Sequence, residues 1–118
     1  MDRRNEQYER AYRTARDIGQ QFGRTSNGHF WGRIILKLFE GLLEQDDEFL
    51  VESRVNGLVE QYVAGSAWDY PGGRADFMHL LLEQLEELRQ YPTETAKAAI
   101  EGYLHPPSRA RHRQTGRH

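Results

Sequence analysis

Residues 30–43 read FWGRIILKLFEGLL, the most hydrophobic run of the chain. Apolar residues recur in it at three- and four-residue spacing, which places them on one wide face of a helix. The face is formed by Phe30, Trp31, Ile34, Ile35, Leu38, Phe39, Leu42 and Leu43. Because so wide an apolar face has to be buried, we predict a helix over residues 29–45 at the centre of a helical core.

Four further segments show the same helical spacing of apolar residues. They cover residues 2–22, 47–64, 74–91 and 93–104. No segment alternates apolar and polar residues in the manner of a half-buried strand. The sequence therefore predicts an all-α fold, a compact bundle of about five helices that forms a single helical domain over residues 1–104. Residues 105–118 are small, polar and arginine-rich, and we expect a flexible, disordered basic C-terminal tail there.

Some residues mark helix boundaries or close packing. Asp46 and Asp47 predict the start of the third helix, because carboxylates are favoured at the positive end of the helix dipole. Thr93 is predicted to cap the fifth helix with its hydroxyl. Gly57 lies inside the third helix, where a residue without a side chain suggests the close approach of a neighbouring segment.

Composition limits the class of protein. A chain of 118 residues suits one domain with a core of its own. The absence of cysteine excludes disulfides and thiolate metal sites, and no motif calls for a cofactor. The apolar runs are too short and too charged to span a bilayer, and the first residues have no apolar stretch of the kind that a secretory signal needs. A soluble, cytoplasmic protein without membrane association is expected.

The charges fall into three blocks along the chain. Residues 1–33 carry a net charge of +3, residues 34–104 carry −9, and residues 105–118 carry +4, so that the formal total is −2. The near-neutral total therefore conceals an acidic body between two basic ends. Such separated charges produce local fields that select and steer partners.

Six carboxylates are concentrated around the predicted junction of the second and third helices. They are Glu40, Glu44, Asp46, Asp47, Glu48 and Glu52. Like charges at this density repel one another and cost stability, which favours a role in binding a basic partner. The loop that follows the third helix adds residue types enriched at binding hot spots. These are Trp68, Tyr70 and Arg74, with Asp69 between the two aromatic residues.

We therefore predict a non-catalytic helical binding protein. It would engage a macromolecular partner, preferentially a protein and one of basic character, through the acidic patch and the Trp/Tyr/Arg loop, as an inhibitor or a small subunit of a complex. Homo-oligomerisation is a further alternative, because the wide apolar face of residues 30–43 could be partly buried against a second copy.

A nucleic-acid-binding subunit is the first alternative function. The arginines of the two basic ends could neutralise phosphates, which gives affinity that depends on salt and not on sequence. The residues concerned are Arg3, Arg10, Arg13, Arg109, Arg111, Arg113 and Arg117. The acidic body opposes this function, because it would repel a duplex lying across it.

A metal-dependent hydrolase is the second alternative function. Asp76, His79, Glu83 and Glu86 follow one another at three- and four-residue spacing, so several of them share a helix face. Carboxylate-bridged dimetal sites take Glu-x-x-His pairs from two helices, whereas this chain has one Asp-x-x-His and no second copy. A solvated helix face is the simpler interpretation, and no catalytic residue is assigned.

Overall fold

The computed structural model describes residues 3–22, 31–65 and 72–106, and these form five helices without any strand. The helices are α1 (Arg3–Gln21), α2 (Trp31–Leu42), α3 (Glu48–Gly65), α4 (Gly73–Arg89) and α5 (Thr93–Leu104). The predicted all-α class and helix number are thereby confirmed. The proposed tail from residue 107 onwards lies outside the described residues. No helix within the described ranges combines the length and apolarity needed to cross a membrane.

The buried face of α2 differs from the predicted one by a rotation about the helix axis. Leu36 is completely buried, whereas Ile34 is 38% exposed and Leu38 lies half-buried at the edge of the core. The centre of the face follows the spacing of Gly32, Ile35, Leu36, Phe39 and Leu42. The prediction was wrong for Ile34 because Gly32, which lies at the centre of this face, carries no side chain that would reveal it.

Helices α1 and α2 cross in direct backbone contact through two glycines. A Cβ atom on Gly32 would lie 2.7 Å from the carbonyl carbon of Gly19 and 2.8 Å from its Cα. Because these are backbone atoms, no change of side-chain rotamer could make room. The crossing therefore requires a glycine at position 32 and sets the separation of the two helices.

Helix α1 packs most extensively on α5, and small residues allow the two to approach closely. Ala11 and Ala15 of α1 are completely buried, as are Ala96 and Ala99 of α5. Tyr12 and Tyr103 meet edge to face at this contact, with ring centroids 6.3 Å apart. Both helices therefore bury alanines, while Ile18 of α1 and Ile100 and Leu104 of α5 supply larger buried side chains.

Helix α3 is the most peripheral helix, packing mainly on α2 and α4. An aromatic cluster joins these three helices: Tyr62 of α3 lies 5.1 Å from Trp31 and 4.9 Å from Phe77 between ring centroids. Phe22, after α1, meets Phe77 edge to face at 5.8 Å. Aromatic pairs at these distances stabilise the contact beyond the area they bury.

Helix beginnings follow from local chemistry, with one correction. Gly72 and Gly73 have φ angles of +90° and +85°, a region that favours glycine, and they lead the chain into α4. Pro92, not Thr93, occupies the cap position of α5, and no side-chain hydrogen bond is made there. The predicted Thr93 cap was therefore wrong: Thr93 is already the first helical residue, and the cap position falls on the residue before it. An added Cβ on Gly57 would meet no atom of the described residues within 4 Å, so these residues do not provide the close packing suggested for it.

Two arginines close the C-terminal ends of neighbouring helices. Arg89 of α4 donates from Nη2 to the carbonyl oxygen of Leu42 at 3.0 Å and from Nε to that of Leu43 at 3.3 Å. Arg33 of α2 donates from Nη1 to the carbonyl oxygen of Leu104, the last residue of α5, at 2.9 Å. The final carbonyls of a helix lack partners within it and carry partial negative charge, so each guanidinium satisfies both needs.

Candidate functional site

The link between α2 and α3 and the first turns of α3 present five of the six predicted carboxylates to solvent. We call them, together with Phe49, the junction surface: Glu44, Asp46, Asp47, Glu48, Phe49 and Glu52. All six residues are exposed. Glu44, Asp46 and Asp47 belong to the short link itself, residues 43–47, whereas Glu48 and Glu52 lie on the first two turns of α3.

Phe49 is 81% exposed in the middle of this acidic surface. The buried positions of α3 are Val51, Val55, Leu58 and Val59, and a residue two places before Val51 points away from that face. Sequence analysis did not single out Phe49. The available signal was its position off the apolar spacing of α3 and between Glu48 and Leu50, at the beginning of the helix.

Asp47 has a structural role within the junction surface. Its Oδ1 accepts a hydrogen bond from the backbone N–H of Leu50 at 3.2 Å, and its own N–H donates to the Oε1 of Gln45 at 3.1 Å. Asp47 is therefore the N-cap of α3, which confirms that the helix begins at the predicted aspartates. A substitution of Asp47 would change the helix as well as the surface.

Glu40 does not join the junction surface. Its side chain is only 13% exposed and its Oε1 lies 2.9 Å from the Nζ of Lys37, which also approaches the Oε2 of Glu101 on α5 at 3.4 Å. Hydrogen bonds to Glu40 and Glu101 raise the pKa of Lys37. A hydrogen bond to Glu40, followed by the hydrogen bond and charge of Lys37, lowers the pKa of Glu101. The predicted partner residue Glu40 is thus engaged between α2 and α5.

A groove runs between α3 and α4 and begins at the junction surface. Its part nearest the junction has a volume of about 220 Å³, and the adjoining part about 380 Å³. Glu48 and Glu52 of the junction surface line it. Its floor is apolar, formed by Val51, Val59, Met78, Leu82 and Leu85. We call this feature the α3–α4 groove.

Of the predicted loop site, only Arg74 belongs to the described residues. It lies at the first turn of α4, lines the far end of the α3–α4 groove, and its Nη2 pairs with the Oε2 of Glu60 on α3. This ion pair joins the two walls of the groove. Trp68, Asp69 and Tyr70 lie outside the described residues, and their part in binding stays a prediction.

The predicted metal-binding residues form one close pair. The Nε2 of His79 lies 3.0 Å from the Oε2 of Glu83, one turn further along α4. Glu86 pairs with Arg89 at 3.1 Å, and the Asp76 carboxylate folds back against Gly72. Within the three described ranges, no group of three or more His, Cys, Asp or Glu side chains is arranged to hold a metal ion. The metal alternative gains no geometric support here.

Only some of the basic residues of the nucleic-acid alternative belong to the described residues. Arg10 and Arg13 are exposed on one face of α1. Arg3 begins this helix, but its side chain lies outside the described residues. The same holds for the tail residues Arg109, Arg111, Arg113 and Arg117. The alternative therefore stays a prediction.

Comparisons with protein-family models, with curated proteins and with solved structures found no match to this chain.

Proposed function

We propose that this chain is a non-catalytic binding protein whose junction surface engages a basic protein partner. Phe49 is the observation on which the proposal rests. A phenylalanine at 81% exposure leaves most of its ring in water, which is unfavourable by roughly 1.5 to 3 kcal/mol relative to burial. A partner that covers the ring removes this cost, so the residue suits an interface better than a free surface.

The carboxylates around Phe49 determine which partner fits. An apolar anchor enclosed by polar residues is the usual anatomy of an interface, because the rim excludes water from the centre. Here Glu44, Asp46, Glu48 and Glu52 supply a rim of one sign. Such a rim accelerates association with a positively charged surface and disfavours acidic partners. The proposed partner is therefore a protein with an apolar pocket bordered by lysine or arginine.

Photo-crosslinking tests the proposal directly. With p-benzoylphenylalanine in place of Phe49, irradiation in the native host should yield a discrete adduct whose partner can be identified by mass spectrometry. The same photoreactive residue at Gln20, which is exposed on α1, is the matched control. A protein captured from position 49 and not from position 20 should carry a basic surface. Equal yields from both positions would show that the junction surface has no preferred partner.

Charge reversal then tests the rim. Glu44→Lys should reduce the affinity for the purified partner at least 10-fold, whereas Glu9→Lys makes the same change of charge on α1 and should have little effect. Asp47 is avoided because it caps α3. Helical circular dichroism should be unchanged in both variants. If Glu44→Lys and Glu9→Lys weaken binding equally, only the net charge matters and the proposed surface is wrong.

A further inference from the structure

The α3–α4 groove continues from the acidic junction surface, but its floor is apolar. Val51, Val59 and Leu85 are buried in its floor, while Met78 and Leu82 are half-buried and face the opening. Leu82 lines both parts of the groove and also an adjoining hollow on α4. The floor is therefore one apolar strip and not several separate pits.

The length and shape of the strip suit a helix. The groove is lined on α4 from Arg74 to Arg89, and at 1.5 Å per residue this span is about 22 Å long, or roughly four turns. Its walls are two packed helices, and a third helix laid between them can insert its side chains at the same three- and four-residue spacing. Among the described residues, only α3 and α4 line the groove.

The charges on the rim of the groove determine which charge a bound segment should carry. Five carboxylates line the groove and the adjoining hollow: Glu48, Glu52, Glu83, Glu86 and Glu87. The two arginines at its ends are already engaged within the protein. Arg74 pairs with Glu60, and Arg89 is held by carbonyl oxygens at the end of α2 and by Glu86. An occupant therefore meets Glu48, Glu52 and Glu86 at the junction end, and further carboxylates where the groove borders the hollow on α4.

We infer that the α3–α4 groove binds a basic amphipathic helix of a partner protein, with apolar residues on the strip and arginine or lysine toward the rim. The inference rests on the proposed function, since it specifies which element of the basic partner is recognised. Phe49 anchors one end of the contact, and the groove receives the helix that continues from it. Glu48 and Glu52, which belong to both features, make the two parts one interface.

A defined probe tests this inference even before the partner is identified. The probe is a fluorescein-labelled synthetic peptide of roughly four turns, with leucines at three- and four-residue spacing and arginines on the remaining face. A peptide of identical composition with scrambled order, which has no apolar stripe, is its control. Fluorescence anisotropy should show the amphipathic peptide binding at least 10-fold more tightly than the scrambled one. Equal affinities would overturn the inference, because charge alone would then account for binding.

Variants of the floor locate the bound probe. Met78→Gln with Leu82→Gln should weaken binding of the amphipathic peptide at least 10-fold, and Ile34→Gln, a change of the same kind on the exposed edge of α2, should leave it unchanged. The exposed pair Glu52→Gln with Glu83→Gln perturbs no core residue. It should weaken binding about 3-fold or more and reduce its dependence on salt. Unchanged affinity in both double variants would overturn the inference.

The outcomes separate this inference from the proposed function. If the partner crosslinks at position 49 while the affinity of the peptide is the same for the floor variants as for the unchanged protein, the groove inference is wrong and the proposed function stands. If the peptide occupies the groove but no partner crosslinks at position 49, the proposed function is wrong. Sedimentation of the free protein as a dimer that dissociates in the Met78→Gln/Leu82→Gln variant would mean that a second copy fills the groove, which also overturns the inference.

Discussion

The guanidinium of Arg89, near the end of α4, donates from Nη2 to the carbonyl oxygen of Leu42, the last residue of α2, across 3.0 Å. The same guanidinium donates to the carbonyl oxygens of Leu43 and Gln45, so it binds both the last residue of α2 and the link that follows it. Its side chain is only 22% exposed. A positive charge at this place also compensates the negative end of the helix dipole. Arg89 thus positions the link that carries the junction surface.

Replacement of Arg89 should therefore destabilise the fold more than its place on a helix surface suggests. Arg89→Ala leaves several carbonyl oxygens without their charged donor, and we expect a loss of about 2 to 3 kcal/mol in the free energy of unfolding. Arg89→Lys keeps the charge but not the planar fork, and should recover only part of the loss. Urea denaturation measures both. Arg54→Ala, at an exposed position of α3, is the control and should change stability by less than about 0.5 kcal/mol.

The glycine crossing of α1 and α2 predicts that glycine-to-alanine substitutions change stability in opposite directions at different positions. Gly32→Ala places a methyl group against the backbone of Gly19, so the helices have to separate, at a cost of about 3 kcal/mol. The new methyl groups of Gly41→Ala and Gly57→Ala meet nothing within 4 Å among the described residues, and each substitution should stabilise the protein by about 0.5 to 1 kcal/mol. Thermal unfolding distinguishes the three. Equal effects at positions 32 and 57 would contradict the crossing.

Removal of the Asp47 cap should loosen the first turn of α3. Asp47→Ala leaves the N–H of Leu50 without its side-chain acceptor, and we expect a loss of about 1 kcal/mol. Asp47→Asn, which retains an acceptor oxygen, should cost less than half of this amount. Amide hydrogen exchange at Leu50 should accelerate in Asp47→Ala before exchange changes elsewhere in α3. The neighbouring Asp46→Ala is the control, since the charge next to the cap is lost but the cap remains.

The carboxyl of Glu101 should respond to Lys37. Its pKa is lowered by the hydrogen bond to Glu40 and by Lys37 and His105, so the interaction stabilises the fold above the ordinary carboxyl pKa and is lost as the pH falls through the lowered value. Lys37→Gln removes the ammonium, and the pKa of Glu101 should rise. Carbon-detected NMR of the Glu101 carboxyl during a pH titration measures this change. Arg54→Gln, on α3, should leave the pKa of Glu101 in place.

The number and approximate limits of the helices could be predicted because they depend on local spacing. The rotation of α2 could not, because Gly32 hides the centre of its buried face and only the crossing with α1 reveals it. The roles of Arg33 and Arg89 depend on contacts between residues that are distant in sequence. In the sequence, Arg33 contributes to the positive charge of residues 1–33. In the structure, its guanidinium is bound to the carbonyl oxygen at the end of α5.

The candidate site was predictable in charge but not in shape. A run of carboxylates is visible in the sequence. Glu40 is nevertheless not part of the junction surface, because Lys37, three residues away on the same helix, holds its side chain beside α5. The α3–α4 groove could not be predicted, since it requires the relative placement of two helices. Phe49 could have been identified, because it falls outside the apolar spacing of α3.

The exposure of Phe49 predicts that its removal affects binding and not folding. Phe49→Ala deletes a ring that the free protein scarcely packs, so the free energy of unfolding should change by less than about 0.5 kcal/mol. Val51→Ala, two residues away and buried, should by contrast cost roughly 1 to 2 kcal/mol. Affinity for the partner captured at position 49 should fall roughly 30-fold in Phe49→Ala, as expected for a central hot spot. If Phe49→Ala lowers the denaturation midpoint as much as Val51→Ala does, the ring is packed in the free protein and the junction surface is not open for binding.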